Sequence, residues 1–312
     1  MEKLGIIGGM GPAATARLMA RIVDFTWADC DQGHLDVTVL CRPQIPDRTA
    51  FLLGAPGAAS FVEPMRQAAR QLEALGCTAI ACPCNTSHAR ASEVAAVLGR
   101  ARLVSMVDET ARLLAQAGCR KAGLLATEGT VATGVYERAL ARAGVAMAVP
   151  DSAGQRLVSE VIYGGVKAGR APGAECLEPV CAALSRRGCD AVVLGCTELS
   201  CLGADPVCGG VEVLDALDVL AVACVWECGA PLRESEVARS FAPCIAQAVL
   251  GREMREAQRA ELAREARGGE SDAPAQKVLG WDKAASQQEA RRREQAMQAQ
   301  EAEAQAPALR CA

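Results

Sequence analysis

The chain has 312 residues with 33 Lys+Arg against 37 Asp+Glu, a formal net charge of −4, so its charge points to no nucleic-acid backbone. At 3% aromatic it lacks a stacking surface for single strands, and at 51% apolar it is no disordered chain. No signal-peptide pattern follows Met1, and the nearest approach to a membrane-length apolar run, 211–226, is broken by Glu212, Asp215 and Asp218.

Residues 4–7, 37–40, 79–82 and 104–107 read as strands, separated by amphipathic helices over 13–23, 64–75 and 108–117. The alternation continues with strands at 122–126, 146–149 and 191–194 and helices at 131–143, 154–163 and 176–187. That order predicts an α/β fold of parallel sheets flanked by helices. An internal repeat divides it into two similar lobes. Residues 72–86 overlay 184–198 at an offset of 112, bringing together Leu72/Leu184, Gly76/Gly188, Cys77/Cys189, Ala79/Ala191 and Cys84/Cys196. Upstream, residues 5–11 overlay 123–129 at an offset of 118. The expected organisation is a lobe over 1–115, a second over 116–208, a segment over 209–250 packing back on the first lobe, and a tail over 251–312. The tail is rich in Ala, Glu, Gln and Arg, with 11 basic and 11 acidic residues, and reads as helical or disordered and solvated.

The 16 cysteines, without a secretory context, are expected to be reduced thiols in a cytoplasmic protein, most of them small packing residues. Two stand apart. Cys84-Asn85-Thr86 and Cys196-Thr197-Glu198 occupy equivalent strand ends, where parallel sheets present ligands and where a thiol opening a helix shifts toward a neutral pKa. If the lobes face each other about a pseudo-twofold axis, the two thiols flank one cleft. Such a pair suits racemisation or epimerisation beside a carboxylate, one group removing a proton and the other returning one to the opposite face.

Gly8-Gly-Met-Gly-Pro-Ala-Ala14 leaves the first strand and opens a helix, with Pro12 suited to the first turn. Its free N–H groups suit a carboxylate. A dinucleotide would need an acidic residue at the end of the second strand, which reads Leu40-Cys41-Arg42. Arg48, in the stiff loop Pro43-Gln-Ile-Pro-Asp-Arg-Thr49, and Lys167, bracketed by glycines, are cations suited to a further carboxylate. His88 reads as a helix-surface histidine and Cys82 as a packing residue. Cys82-x-Cys84 and Cys224-x-x-x-Cys228, with His34 and His88 the two histidines, lack a zinc spacing.

Gly8-Gly-Met-Gly-Pro12, the 43–49 loop, Pro83-Cys-Asn-Thr86, Leu125-Ala-Thr-Glu-Gly-Thr130 and Leu194-Gly-Cys-Thr-Glu198 together resemble the cofactor-independent aspartate/glutamate racemase family over residues 3–245. The 43–49 loop is most similar to the aspartate racemase branch. The resemblance implies two α/β lobes with the active site in the cleft between them, a homodimer, a small-molecule amino acid as substrate, no cofactor, no metal, and neither nucleic acid nor membrane as partner. It implies Cys84 and Cys196 as the acid–base pair. Asn85, Thr86, Thr127, Thr130 and Thr197 would hold the α-carboxylate and ammonium with the backbone of Gly9, Met10 and Gly11. Arg48 and Lys167 would hold the side-chain carboxylate, with Gln44 and Glu198 completing the binding set. Two alternatives stay open: an isomerase or decarboxylase of a small dicarboxylic acid, against which the paired cysteines weigh, and a non-catalytic amino-acid-binding protein.

Overall fold

The computed structural model describes residues 1–170 and 172–251, so all of the expected tail but its first residue lies outside the described residues. The first lobe runs β1 (Leu4–Gly8), α1 (Pro12–Phe25), β2 (Val37–Cys41), α2 (Arg48–Leu52), α3 (Val62–Ala74), β3 (Ala79–Ala81), α4 (Ala91–Ala95), β4 (Arg102–Val104) and α5 (Met106–Gln116). The second runs β5 (Lys121–Leu125), α6 (Glu128–Ala132), α7 (Val135–Arg142), β6 (Ala146–Ala148), α8 (Ser152–Ser159), α9 (Glu178–Arg186), β7 (Ala191–Leu194), α10 (Thr197–Ser200), β8 (Val207–Cys208) and β9 (Val211–Asp215). Helices α11 (Ala216–Glu227) and α12 (Glu234–Ser240) follow, and 243–251 is helical as well.

The two sheets have one topology. The first is ordered β2-β1-β3-β4 and the second β6-β5-β7-β9-β8, parallel throughout except for the edge strand β8. Even the register repeats: Leu4 pairs with Ala79 as Ala122 pairs with Ala191. The shared Gly and Leu positions have a packing cause. A Cβ on Gly5 would lie 3.0 Å from Leu72 Cβ, and one on Gly123 would lie 2.8 Å from Leu184 Cδ1. In each lobe a helix leans on the central strand where no side chain intervenes.

Several expected elements shift. The strand expected at 104–107 ends at Val104, because Ser105 caps α5 by accepting a hydrogen bond from Asp108 N at 3.2 Å. The helix expected over 131–143 is two helices, parted at Gly134, whose φ of +61° breaks the first. The helix expected over 154–163 ends as α8 at Ser159 and continues as a wider π turn, Glu160–Gly165. The boundary expected at 208/209 falls inside the second sheet: β9 pairs with β7, so that lobe reaches Asp215. The run that approached membrane length is thus a strand followed by a buried helix. Among the described residues no helix is long and apolar enough to cross a membrane.

Helix α11 is buried from Ala216 to Val225 and packs on α1, α5, β3 and β4. A helix apolar all round must lie inside, and here it joins apolar residues of both lobes into one core with Leu4, Ile6, Leu18, Ala122 and Leu124. Leu220 sits in this core with no exposed surface. Leu220→Ala is expected to cost about 2–5 kcal/mol of stability, read as a lower midpoint in urea unfolding.

Candidate active site

The loops leaving β1, β3, β5 and β7, joined by α2 and the turns after α8, line one narrow cavity. Its walls are Met10, Asp47, Arg48, Thr49, Cys84, Asn85, Thr86, Thr127, Tyr163, Lys167, Cys196, Thr197 and Glu198. Both lobes therefore contribute, and each supplies one buried thiol.

Cys84 follows a tight turn at the end of β3, where its N–H donates to Cys82 O at 2.8 Å. Its own carbonyl accepts from Ser87 Oγ at 2.8 Å and meets His88 Nδ1 at 2.9 Å. His88 Nε2 accepts from Met106 N at 3.3 Å. These partners assign the proton to Nδ1, and burial pushes the His88 pKa down, so the ring is neutral. His88 is thus a buried residue rather than the helix-surface histidine expected, because the short turn Thr86–Arg90 tucks its first half inside. Cys82 is buried against Ser87 Oγ at 3.3 Å, and burial, then Cys84, push its thiol far up.

The two cavity thiols have opposite neighbours. Cys84 faces Arg48. Burial opposes the Arg48 charge, yet the neighbouring Cys84 carries that guanidinium above the ordinary arginine value. Cys196, at the N-cap of α10, donates to Glu198 Oε2 at 3.0 Å. Burial, then the Glu198 charge and hydrogen bond, push Cys196 well above the ordinary thiol range. The other oxygen, Glu198 Oε1, pairs with Lys167 Nζ at 2.6 Å. Burial opposes the Lys167 charge, but Glu198 and then both cysteines raise its pKa. Lys167 Nζ also stands 5.8 Å from the centroid of the Tyr163 ring, whose hydroxyl donates to Thr49 Oγ1 at 3.2 Å.

Polar groups close the remaining wall. Thr86, Thr127 and Thr130 form a triangle of hydroxyls at 2.9–3.1 Å. Thr197 Oγ1 donates to Pro83 O at 3.3 Å across the lobes. Asn85 Oδ1 accepts from Tyr136 at 2.5 Å, which leaves Asn85 Nδ2 buried without a partner. Arg48 Nη1 donates to Ile45 O and Pro46 O, while its Nε is likewise buried without a partner. Unpaired buried donors are costly, so both mark a place for an acceptor.

Most of the residues singled out from sequence meet here. Met10, Arg48, Cys84, Asn85, Thr86, Thr127, Lys167, Cys196, Thr197 and Glu198 line the cavity, and Thr130 backs Thr127. A Cβ on Gly11 would lie 3.7 Å from Glu198 Oε1. Gly9 faces elsewhere: its φ is +96°, and a Cβ there would lie 2.4 Å from the Arg42 backbone. Gln44 is exposed and off the cavity, because the turn after β2 buries Ile45 instead. Asp47, Thr49 and Tyr163 line the cavity without having been singled out. Their signal was adjacency: they flank Arg48 and precede Lys167 in the same short motifs.

Residues 7–224 match the Asp/Glu/hydantoin racemase family model. Aspartate racemase of Picrophilus torridus is similar in structure, 29% identical with a TM-score of 0.65, covering 76% of this chain and 98% of that one. An aspartate racemase homologue of Pyrococcus horikoshii OT3 shares the fold at 23% identity and a TM-score of 0.60, covering 73% of this chain and 99% of that one. The broad specificity amino-acid racemase RacX of Bacillus subtilis (strain 168) is 27% identical over 143 residues, 44% of this chain. An uncharacterized protein of Pectobacterium carotovorum is 38% identical over 101 residues, 32% of this chain. The matches span 60% of RacX and 67% of the Pectobacterium protein. The chain belongs to the Asp/Glu/hydantoin racemase family, which makes it an enzyme of the isomerase class.

Proposed function

We propose that the protein interconverts the enantiomers of an acidic amino acid, aspartate first, by passing the α-proton between Cys84 and Cys196 with no cofactor. The observation that carries this is the opposed setting of two thiols in one cavity: Arg48 beside Cys84, Glu198 on Cys196. In this reading Cys84 starts as the base and Cys196, held protonated by Glu198, as the acid. Cys84 removes the Cα proton, the electron pair delocalises into the α-carboxylate, and Cys196 delivers its proton to the other face. The product leaves Cys84 protonated and Cys196 ionised, ready for the reverse turnover or for exchange with water. The partnerless donors of Asn85 and Arg48 supply carboxylate contacts, and Lys167 a second cation. Aspartate is favoured by the likeness to the Picrophilus enzyme and by the Arg48 loop. A cytoplasmic setting belongs to the same reading, since the chemistry needs reduced thiols, and the homodimer is what the family resemblance implies.

The test is α-proton exchange in heavy water with each enantiomer of aspartate and no added cofactor, followed by chiral chromatography. Exchange and inversion of both enantiomers are expected. Exchange without inversion would favour a one-base relative, and its absence with binding a non-catalytic protein.

Glu198 gives a pH signature. Cys196 must be protonated to act as the acid, so activity falls as pH rises through its pKa. Glu198 raises that pKa. Glu198→Gln is therefore expected to move the alkaline limb of the kcat/KM profile to lower pH, by about 1–3 units for a removed like charge. An unmoved limb would mean that Glu198 does not hold the Cys196 proton.

A further inference from the structure

We propose that His88 and Ser200 are equivalent positioning residues, one per lobe, each tying its cysteine-bearing turn to the cap of the helix that follows the neighbouring strand, β4 or β9. The inference rests on the racemase reading above and adds two residues that do not line the cavity.

The juxtaposition repeats with the fold. His88 lies four residues after Cys84 and Ser200 four after Cys196, the same 112-residue offset that relates the cysteines. Both side chains are buried. Behind them, Ala79 pairs with Arg102 and Ala191 with Glu212, so Ser105 and Asp215 occupy matching places where their strands end. Each is the N-cap of the following helix, α5 or α11. In the first lobe His88 joins Cys84 O to Met106 N, the first residue of α5. In the second, Ser200 Oγ donates to Asp215 Oδ1 at 2.6 Å, and the same oxygen accepts from Leu217 N at 2.8 Å at the start of α11.

The physical need is clear from lengths. The turn Thr86–Arg90 has five residues and α10 four. Single turns have little stability of their own. The helices behind them are long and buried, α11 almost completely. A bond from the turn to such a helix start fixes the thiol where the substrate carbon must sit, and a misplacement of about 1 Å can cost about 10²-fold.

Because the tethers serve different thiols, loosening each should slow a different proton transfer. The readout is the α-deuterium isotope effect on kcat/KM, measured with L- and with D-aspartate on the full chain. His88→Leu should raise the effect for the enantiomer deprotonated by Cys84 and lower it for the other. Ser200→Ala should do the reverse. Both should lose about 10–10²-fold in activity. His88→Gln, which can still donate and accept, should recover most of the loss. Should His88→Leu not fold, His88→Asn, which keeps reach only to the Cys84 carbonyl, takes its place. Shifts of the same sense in both variants, unmoved isotope effects, or a His88→Gln no better than the apolar variant would overturn the proposal. Failure of the unaltered chain to exchange the α-proton of either enantiomer would instead overturn the racemase reading.

Discussion

Serine at either Cys84 or Cys196 is expected to lower aspartate racemisation by about 10²–10⁴-fold, the usual worth of a positioned acid–base group. A hydroxyl fits the site but ionises far too weakly near neutral pH to replace a thiolate. The alanine variants should then separate the two roles. Cys196→Ala leaves Cys84 beside Arg48, where the thiolate has a cationic partner. It should still wash the α-proton of one enantiomer into heavy water without inverting it. Cys84→Ala leaves Cys196 buried on Glu198, which holds it protonated. Its residual exchange, with the other enantiomer, should be slower. Near-normal racemisation by either alanine variant would remove that cysteine from the mechanism. Equal residual exchange in both would remove the asymmetry.

The repeat explains why so much of this was legible before any coordinates. Gly5 with Leu72, and Gly123 with Leu184, are paired by a close helix–strand approach that a Cβ would crowd. Sequence periodicity therefore located the central strands and, beyond them, both cysteines. What stayed hidden depends on contacts distant in the chain. His88 looked superficial because its partner, Met106 N, is eighteen residues on. β9 looked like part of an apolar run because a strand and a buried helix adjoin there without a break. Glu198 was expected to bind substrate, yet its two oxygens go to Cys196 and Lys167, and no pattern within Leu194-Gly-Cys-Thr-Glu198 announces a lysine thirty-one residues upstream. Gln44 erred for a local reason, since a turn decides which of two adjacent side chains faces inward.

Arg48→Leu carries the second large effect, and the geometry changes what it should look like. On the sequence alone Arg48 grips the distal carboxylate, so its loss would raise KM for aspartate and leave a substrate without that group, such as alanine, little affected. One charge-assisted hydrogen bond is worth about 1.5–3 kcal/mol, so kcat/KM for aspartate should fall by at least about 10–10²-fold. But Arg48 also sets its charge beside Cys84 in the same cavity. Removing it takes the cation from beside the proposed thiolate as well as from the substrate. Any turnover of alanine should then fall in kcat, while aspartate loses both kcat and KM. Arg48→Lys separates the two. A lysine keeps a positive charge near Cys84 but cannot offer the planar fork to a carboxylate, so it should restore kcat more than KM. If Arg48→Leu raises KM for aspartate alone and leaves kcat for both amino acids untouched, Arg48 is a substrate grip only.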